Sequence, residues 1–187
     1  MSLAISTFSN KRGGDCLFKA LGHPLVVPRL RVLLSDLERT GPVAIYDPHN
    51  AATTLAALYA TGLIKISDVY VQKIEDLNRT IFGQRTQPVS ALSGTRAKTL
   101  FVVAYDADSL IHQIQHLLPQ GVQCVTLDAA RLPDEMLTSR NHYLTSLNFA
   151  TNFVFFRDAD GFHTRLMSAN YWHRYGARGV KLWLQLF

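Results

Sequence analysis

A polar turn follows the first apolar run of this chain, and its side chains could hydrogen-bond a ligand. Residues 43–46 form a short apolar strand, and residues 51–60 have a helical pattern. The turn between them consists of Asp47, Pro48, His49, Asn50 and Ala51. In open α/β sheets, ligands bind beyond the carboxyl ends of the strands. His49 and Asn50 could therefore contact a phosphate, a sugar hydroxyl or a carboxylate, or else Asp47 or Asn50 simply caps the following helix.

The glycines that normally bring a pyrophosphate close to such a turn are missing. No glycine occurs between Gly41 and Gly62, where a dinucleotide-binding protein has Gly-x-Gly-x-x-Gly. Each Cβ in the turn holds a phosphate away from the helix amides, and Pro48 has no amide to donate. The cofactor is therefore unknown: NAD(P) or a nucleotide suits the strand–turn–helix pattern but not the turn.

A second pair of candidate ligand contacts follows a later strand. Residues 100–105 are continuously apolar, as in a parallel strand buried on both faces. Tyr105 and Asp106 then occupy the position equivalent to the first turn and could line the same crevice. Alternatively, Asp108 or Ser109 caps the next helix.

The sequence predicts neither a metal site nor a catalytic set. His112 and His116 are four residues apart on one helix, but no third ligand is evident, so we expect a solvated helix face. Residues 158–161, Asp-Ala-Asp-Gly, favour a hairpin turn over a calcium loop, because no bidentate glutamate follows. Nucleophile elbow, P-loop and kinase motifs are all missing, and whether the chain is an enzyme stays open.

The elements around these candidates alternate between strand and helix. An amphipathic helix is predicted from residue 24 to 39, strands at 43–46, 66–72, 100–105 and 122–127, and helices at 51–60 and 108–118. This alternation predicts an α/β fold with a parallel sheet. Further strands at 153–157, 163–168 and 179–187 predict a short C-terminal antiparallel β appendage. We therefore divide the chain into an N-terminal segment and helix at 1–41, an α/β domain at 42–128, and a linker with antiparallel strands at 129–187, which could begin a truncated β domain.

Composition is that of a folded protein. The 187 residues are 48% hydrophobic and 18% charged, with a formal net charge of +5. The lysines and arginines are scattered along the chain, so nucleic acid is not an expected partner. Cys124 lies in an apolar run and no Cys-x-x-Cys pair occurs, which fits a reducing compartment. With no membrane-spanning run and no signal-peptide core, we expect a cytoplasmic protein without membrane contact.

Residues 42–127 resemble the small Rossmann-like domains of bacterial surface-sugar biosynthesis proteins. The resemblance rests on four stretches: Val43–Tyr46, Val69–Val71, Gly83–Val89 and Leu100–Ala104. Similar domains form the N-terminal part of sugar acyltransferases and the nucleotide-binding part of nucleotide-sugar dehydratases and epimerases. The resemblance implies a Rossmann-like three-layer domain that binds a nucleotide or a nucleotide sugar.

Two hypotheses about function follow. The first is a nucleotide- or nucleotide-sugar-binding domain with a degenerate phosphate loop and little or no catalysis. The second is an interaction or assembly module that has lost ligand binding and pairs, with itself or with a larger partner, through strands 153–157 and 179–187. The aromatic and basic stretch at 170–178 suits either recognition or packing.

Overall fold

The computed structural model describes residues 14–59 and 61–149, together with Gly176, Arg178, Gly179 and Lys181. The chain divides into two compact units, Met1–Thr151 and Asn152–Phe187. The first unit contains every helix and strand described below. The predicted C-terminal strands, the 158–161 hairpin turn and nearly all of the 170–178 stretch lie outside the described residues.

A six-stranded, mostly parallel sheet forms the centre of the first unit. Its strands are β1 (Val43–Asp47), β2 (Ile66–Val71), β3 (Thr80–Ile81), β4 (Gln84–Pro88), β5 (Thr99–Val102) and β6 (Gln123–Thr126). Their order across the sheet is β3-β4-β2-β1-β5-β6. All neighbours run parallel except β3 and β4. The five parallel strands thus follow the 3-2-1-4-5 order of a doubly wound sheet, and the order reverses between β1 and β5.

The sheet alternates its side chains between two buried clusters. Val43 and Ile45 of β1 belong to the larger cluster, whereas Ala44 and Tyr46 belong to the smaller one. Four helices contribute to these clusters: α1 (Gly14–Leu21), α2 (Val27–Arg39), α3 (Ala52–Leu58) and α4 (Asp108–Ile114). Residues of α1, α2 and α3 lie in the larger cluster and those of α4 in the smaller. This α/β arrangement is compatible with a Rossmann-like layout.

The described structure corrects several boundaries and adds three elements. Helix α3 ends at Leu58 on an extended Tyr59, two residues short of the predicted end at 60. Helix α4 ends at Ile114, and a 3₁₀ turn continues it to Leu117. The pattern did not predict α1, β3 or β4.

The β3–β4 hairpin closes one edge of the sheet with a strained turn. Its two central residues are Phe82 and Gly83, with φ of 52° and 76°. A two-residue turn between antiparallel strands favours positive φ at both positions, which glycine adopts freely and phenylalanine does not. Phe82 is partly buried and packs against the larger buried cluster.

Candidate functional site

The carboxylate of Asp47 occupies the start of helix α3. Its Oδ1 accepts a hydrogen bond from the Ala51 amide at 2.8 Å, and its Oδ2 accepts one from the Ala52 amide at 3.1 Å. Asp47 is only 1% exposed. These are the amides that a phosphate would use at the start of this helix, so the chain supplies its own anion at that position.

Burial raises the pKa of Asp47 above its ordinary value of 3.8. The amides of Ala51, Ala52 and His49 act in the opposite direction, because they stabilise the carboxylate, but they do not outweigh the loss of hydration. A carboxylate held here also repels any second anion that approaches the turn.

The remaining residues of the turn divide between burial and exposure. Pro48 and Ala51 are buried, and His49 and Asn50 are exposed. Asn50 has φ of 59°, a left-handed conformation that asparagine adopts more readily than most residues. Its Oδ1 accepts from the Thr53 hydroxyl at 3.4 Å. His49 and Asn50 therefore face solvent at the rim of the predicted crevice, while Asp47 fills its base.

A second carboxylate holds the start of helix α4. Asp128, just beyond β6, accepts from the Asp106 amide at 2.9 Å and from the Ala107 amide at 3.0 Å. The predicted cap from Asp108 or Ser109 is wrong, because no side chain of α4 itself caps the helix. The acceptor is instead Asp128, in the 3₁₀ turn Leu127–Ala130 that follows β6, 22 residues after Asp106 along the chain. The turns that lead into α3 and α4, on either side of the strand-order reversal, are thus each held by an internal carboxylate.

Aromatic side chains pack beside these two turns. The Tyr105 and Tyr143 rings lie 4.4 Å apart, and Phe149 meets Tyr143 edge-on at 5.1 Å. All three are buried in the same cluster as Ala51 and Ala52. Burial raises the pKa of the Tyr105 phenol, and its hydroxyl has no hydrogen-bond partner among the described residues. The predicted ligand contact at Tyr105 is thus covered by the chain's own residues.

The segment that carries Tyr143 is fastened at several points. Asp106 accepts from the Tyr143 amide at 2.7 Å and from the Arg131 guanidinium at 3.2 Å. The Tyr143 hydroxyl accepts from the Leu132 amide at 2.9 Å. Asn148 ties the far end: its Oδ1 accepts from the amides of Thr138 and Ser139, and its Nδ2 donates to the Ser139, His142 and Tyr143 carbonyls. Residues 131–149 therefore form a fixed cover, which we call the covering segment.

Two open grooves lie away from the predicted crevice, on the β2–β4 side of the sheet. The larger, about 500 Å³, includes Ser67, Asp68, Asn78 and Arg85 in its walls. The smaller, about 200 Å³, lies at the carboxyl ends of β2 and β4 and is lined by Val71, Gln72, Lys73, Ile74, Leu77, Pro88, Val89 and Ser90. Gln72 accepts at its Oε1 from the Tyr46 hydroxyl at 2.7 Å.

The described residues bring no three His, Cys, Asp or Glu side chains together as metal ligands. His112 and His116 are both exposed on the α4 side. Cys124 is half-buried, and burial raises the pKa of its thiol, which disfavours the reactive thiolate. None of the helices in these ranges has the length and apolar character needed to cross a membrane.

Comparison with known proteins finds no matching family model, no matching curated protein and no matching solved structure. The resemblance to sugar-biosynthesis domains therefore stays an interpretation of the sequence pattern.

Proposed function

We propose that this chain is a non-catalytic protein-interaction module on a Rossmann-like scaffold that has lost anionic-ligand binding. The observation that carries this proposal is the pair of internal carboxylates. Asp47 accepts from two amides at the start of α3, and Asp128 accepts from the two amides that directly precede α4. At the α3 start, a nucleotide phosphate would have to displace the buried carboxylate of Asp47 and leave it unpaired, which is strongly unfavourable.

The covering segment supports the same proposal. Tyr143 is 0% and Phe149 1% exposed, and both pack in the cluster that contains the α3 start. A ligand at the strand-order reversal would have to expose these rings, and full burial of one large apolar side chain contributes about 1.5–3 kcal/mol. The cost of exposing these rings would reduce the net free energy of ligand binding.

A second candidate is a weak nucleoside-binding domain, and one observation favours it. The groove of about 200 Å³ at the ends of β2 and β4 is lined by apolar side chains together with Gln72 and Lys73. An uncharged base and ribose could lie there without reaching the amides that Asp47 occupies.

A thermal-shift series on the full chain tests both. The compounds are NAD, NADP, ADP, a nucleotide sugar, coenzyme A and adenosine, each at 1 mM. A ligand at 100 times its dissociation constant adds about 2.7 kcal/mol to the free energy of unfolding. We expect no shift with any of them. A shift with the phosphate-bearing compounds would overturn the interaction proposal, whereas a shift with adenosine that Gln72→Ala removes would establish the second candidate.

A further inference from the structure

The two edges of the parallel sheet differ in charge. At the carboxyl edge, where ligands bind in doubly wound folds, acidic side chains outnumber basic ones, and the cations Arg79 and Arg131 are paired with Asp76, Asp106 and Asp128. At the amino edge, exposed cations precede the strands. Lys65 comes directly before β2, and Arg96 and Lys98 come before β5.

Backbone register places these cations close together. The Lys65 carbonyl accepts from the Val43 amide at 2.8 Å, and the Lys98 carbonyl accepts from the Gln123 amide at 2.9 Å. Val43 is aligned with both Ile66 and Thr99, so Lys65 and Lys98 are level on either side of β1. With strands about 4.8 Å apart, their Cα atoms are separated by about 10 Å.

The cations at this edge are exposed to solvent. Ala97 is buried while Arg96 and Lys98 on either side of it are exposed. None of Lys65, Arg96 and Lys98 makes a salt bridge within the described residues. Two acids of the neighbouring elements have other partners: Asp36 pairs with Arg39, and Asp68 in β2 accepts from Gln87 and Thr95.

An exposed leucine stands among these charges. Leu63, two residues before Lys65, is 76% exposed. A nucleic-acid backbone offers a leucine nothing to pack against, and the described residues place no exposed aromatic ring here for base stacking. An acidic polypeptide with an apolar side chain can satisfy both the cations and the leucine.

We propose that the amino edge of the sheet, formed by Leu63, Lys65, Arg96 and Lys98, binds an acidic protein segment that carries an apolar residue. We call this surface the basic edge. The proposal rests on the interaction function proposed above and gives that function a surface and a partner chemistry.

Fluorescence anisotropy with a labelled twelve-residue peptide of repeating Glu-Glu-Leu tests the proposal, using the full chain at 50 and 300 mM salt. We expect binding that weakens with salt and falls at least tenfold in Lys65→Glu/Lys98→Glu. The matched control, Lys73→Glu/Arg140→Glu, changes the net charge equally at exposed sites elsewhere and should lose less than twofold. Lys65→Gln/Lys98→Gln repeats the test without introducing acidic groups, and melting curves establish that every variant is folded.

A substitution of Leu63 tests the apolar contact separately. Leu63→Ser should weaken the Glu-Glu-Leu peptide about threefold and leave an all-glutamate peptide unaffected. Absence of peptide binding, equal losses in the two charge-reversed variants, or tighter binding of a twelve-nucleotide oligothymidine would each overturn the proposal. If the chain binds a nucleotide in the thermal-shift series and still binds the peptide through Lys65, only the proposed loss of ligand binding is refuted, and the proposed peptide surface stands.

Discussion

Replacing Asp47 with alanine removes one buried carboxylate and leaves two helix amides without an acceptor. The bonds to Ala51 and Ala52 are 2.8 and 3.1 Å long, and each buried amide that loses its partner costs about 1–3 kcal/mol. Relief of the buried charge, whose pKa is raised by burial, offsets part of this. We expect Asp47→Ala to lower the free energy of unfolding by about 3 kcal/mol, which corresponds to a fall in Tm of about 6–12 °C for a unit of this size.

The matched control is Asp68→Ala, in the neighbouring strand. Asp68 is half-buried, and its two hydrogen bonds, to Gln87 and Thr95, are both 3.4 Å long, so its loss should cost less than about 1 kcal/mol. Urea denaturation of both variants, followed by circular dichroism, gives the comparison. Equal destabilisation by the two substitutions would refute the assignment of Asp47 as the anion at the α3 start.

Three further outcomes are expected. Burial raises the pKa of Asp47 in the folded state, so its contribution to stability is greatest below pH 3.8 and declines as the pH rises through the folded pKa. In urea titrations over that range, the free energy of unfolding of the wild type should fall relative to that of Asp47→Asn. A rise would contradict this prediction. Tyr105→Phe removes a buried hydroxyl that has no partner within the described part of the chain and should leave the free energy of unfolding unchanged or raise it by about 1 kcal/mol, measured by calorimetry. A loss of more than about 1 kcal/mol would show that the hydroxyl is hydrogen-bonded. Asn148→Ala should speed hydrogen exchange at the amides of Thr138 and Ser139, which its Oδ1 now accepts, while exchange in β1 stays slow.

The sequence predicted those strands whose apolar runs are continuous. Strands β1, β2, β5 and β6 lie where the pattern placed them, within one to three residues at each end. It missed β4, because Gln84–Pro88 is polar and only Thr86 among its residues is buried. It also missed the hairpin turn, where Phe82 adopts a conformation that no propensity scale assigns to phenylalanine.

The sequence predicted only part of the candidate site, because some of its contacts join residues that are far apart in the chain. An aspartate four residues before its amide partner is a local pattern, so capping by Asp47 was among the alternatives. Asp128 accepts from an amide 22 residues earlier because β5 and β6 pair. Local spacing in the sequence cannot predict that contact. Lys65 and Lys98 are 33 residues apart in sequence, and they become neighbours only because parallel strands begin at one edge.

The unlike origins of the two helix caps have a consequence for the order in which the chain folds. Asp47 lies within five residues of the amides it accepts, so the β1–α3 unit can complete its cap from local contacts alone. Helix α4 has to wait for β6, because only that strand brings Asp128 to the Asp106 and Ala107 amides. Loop closure over the longer span is slower and entropically more costly. In a refolding experiment with pulsed hydrogen exchange, the Ala51 and Ala52 amides should gain protection before those of Asp106 and Ala107.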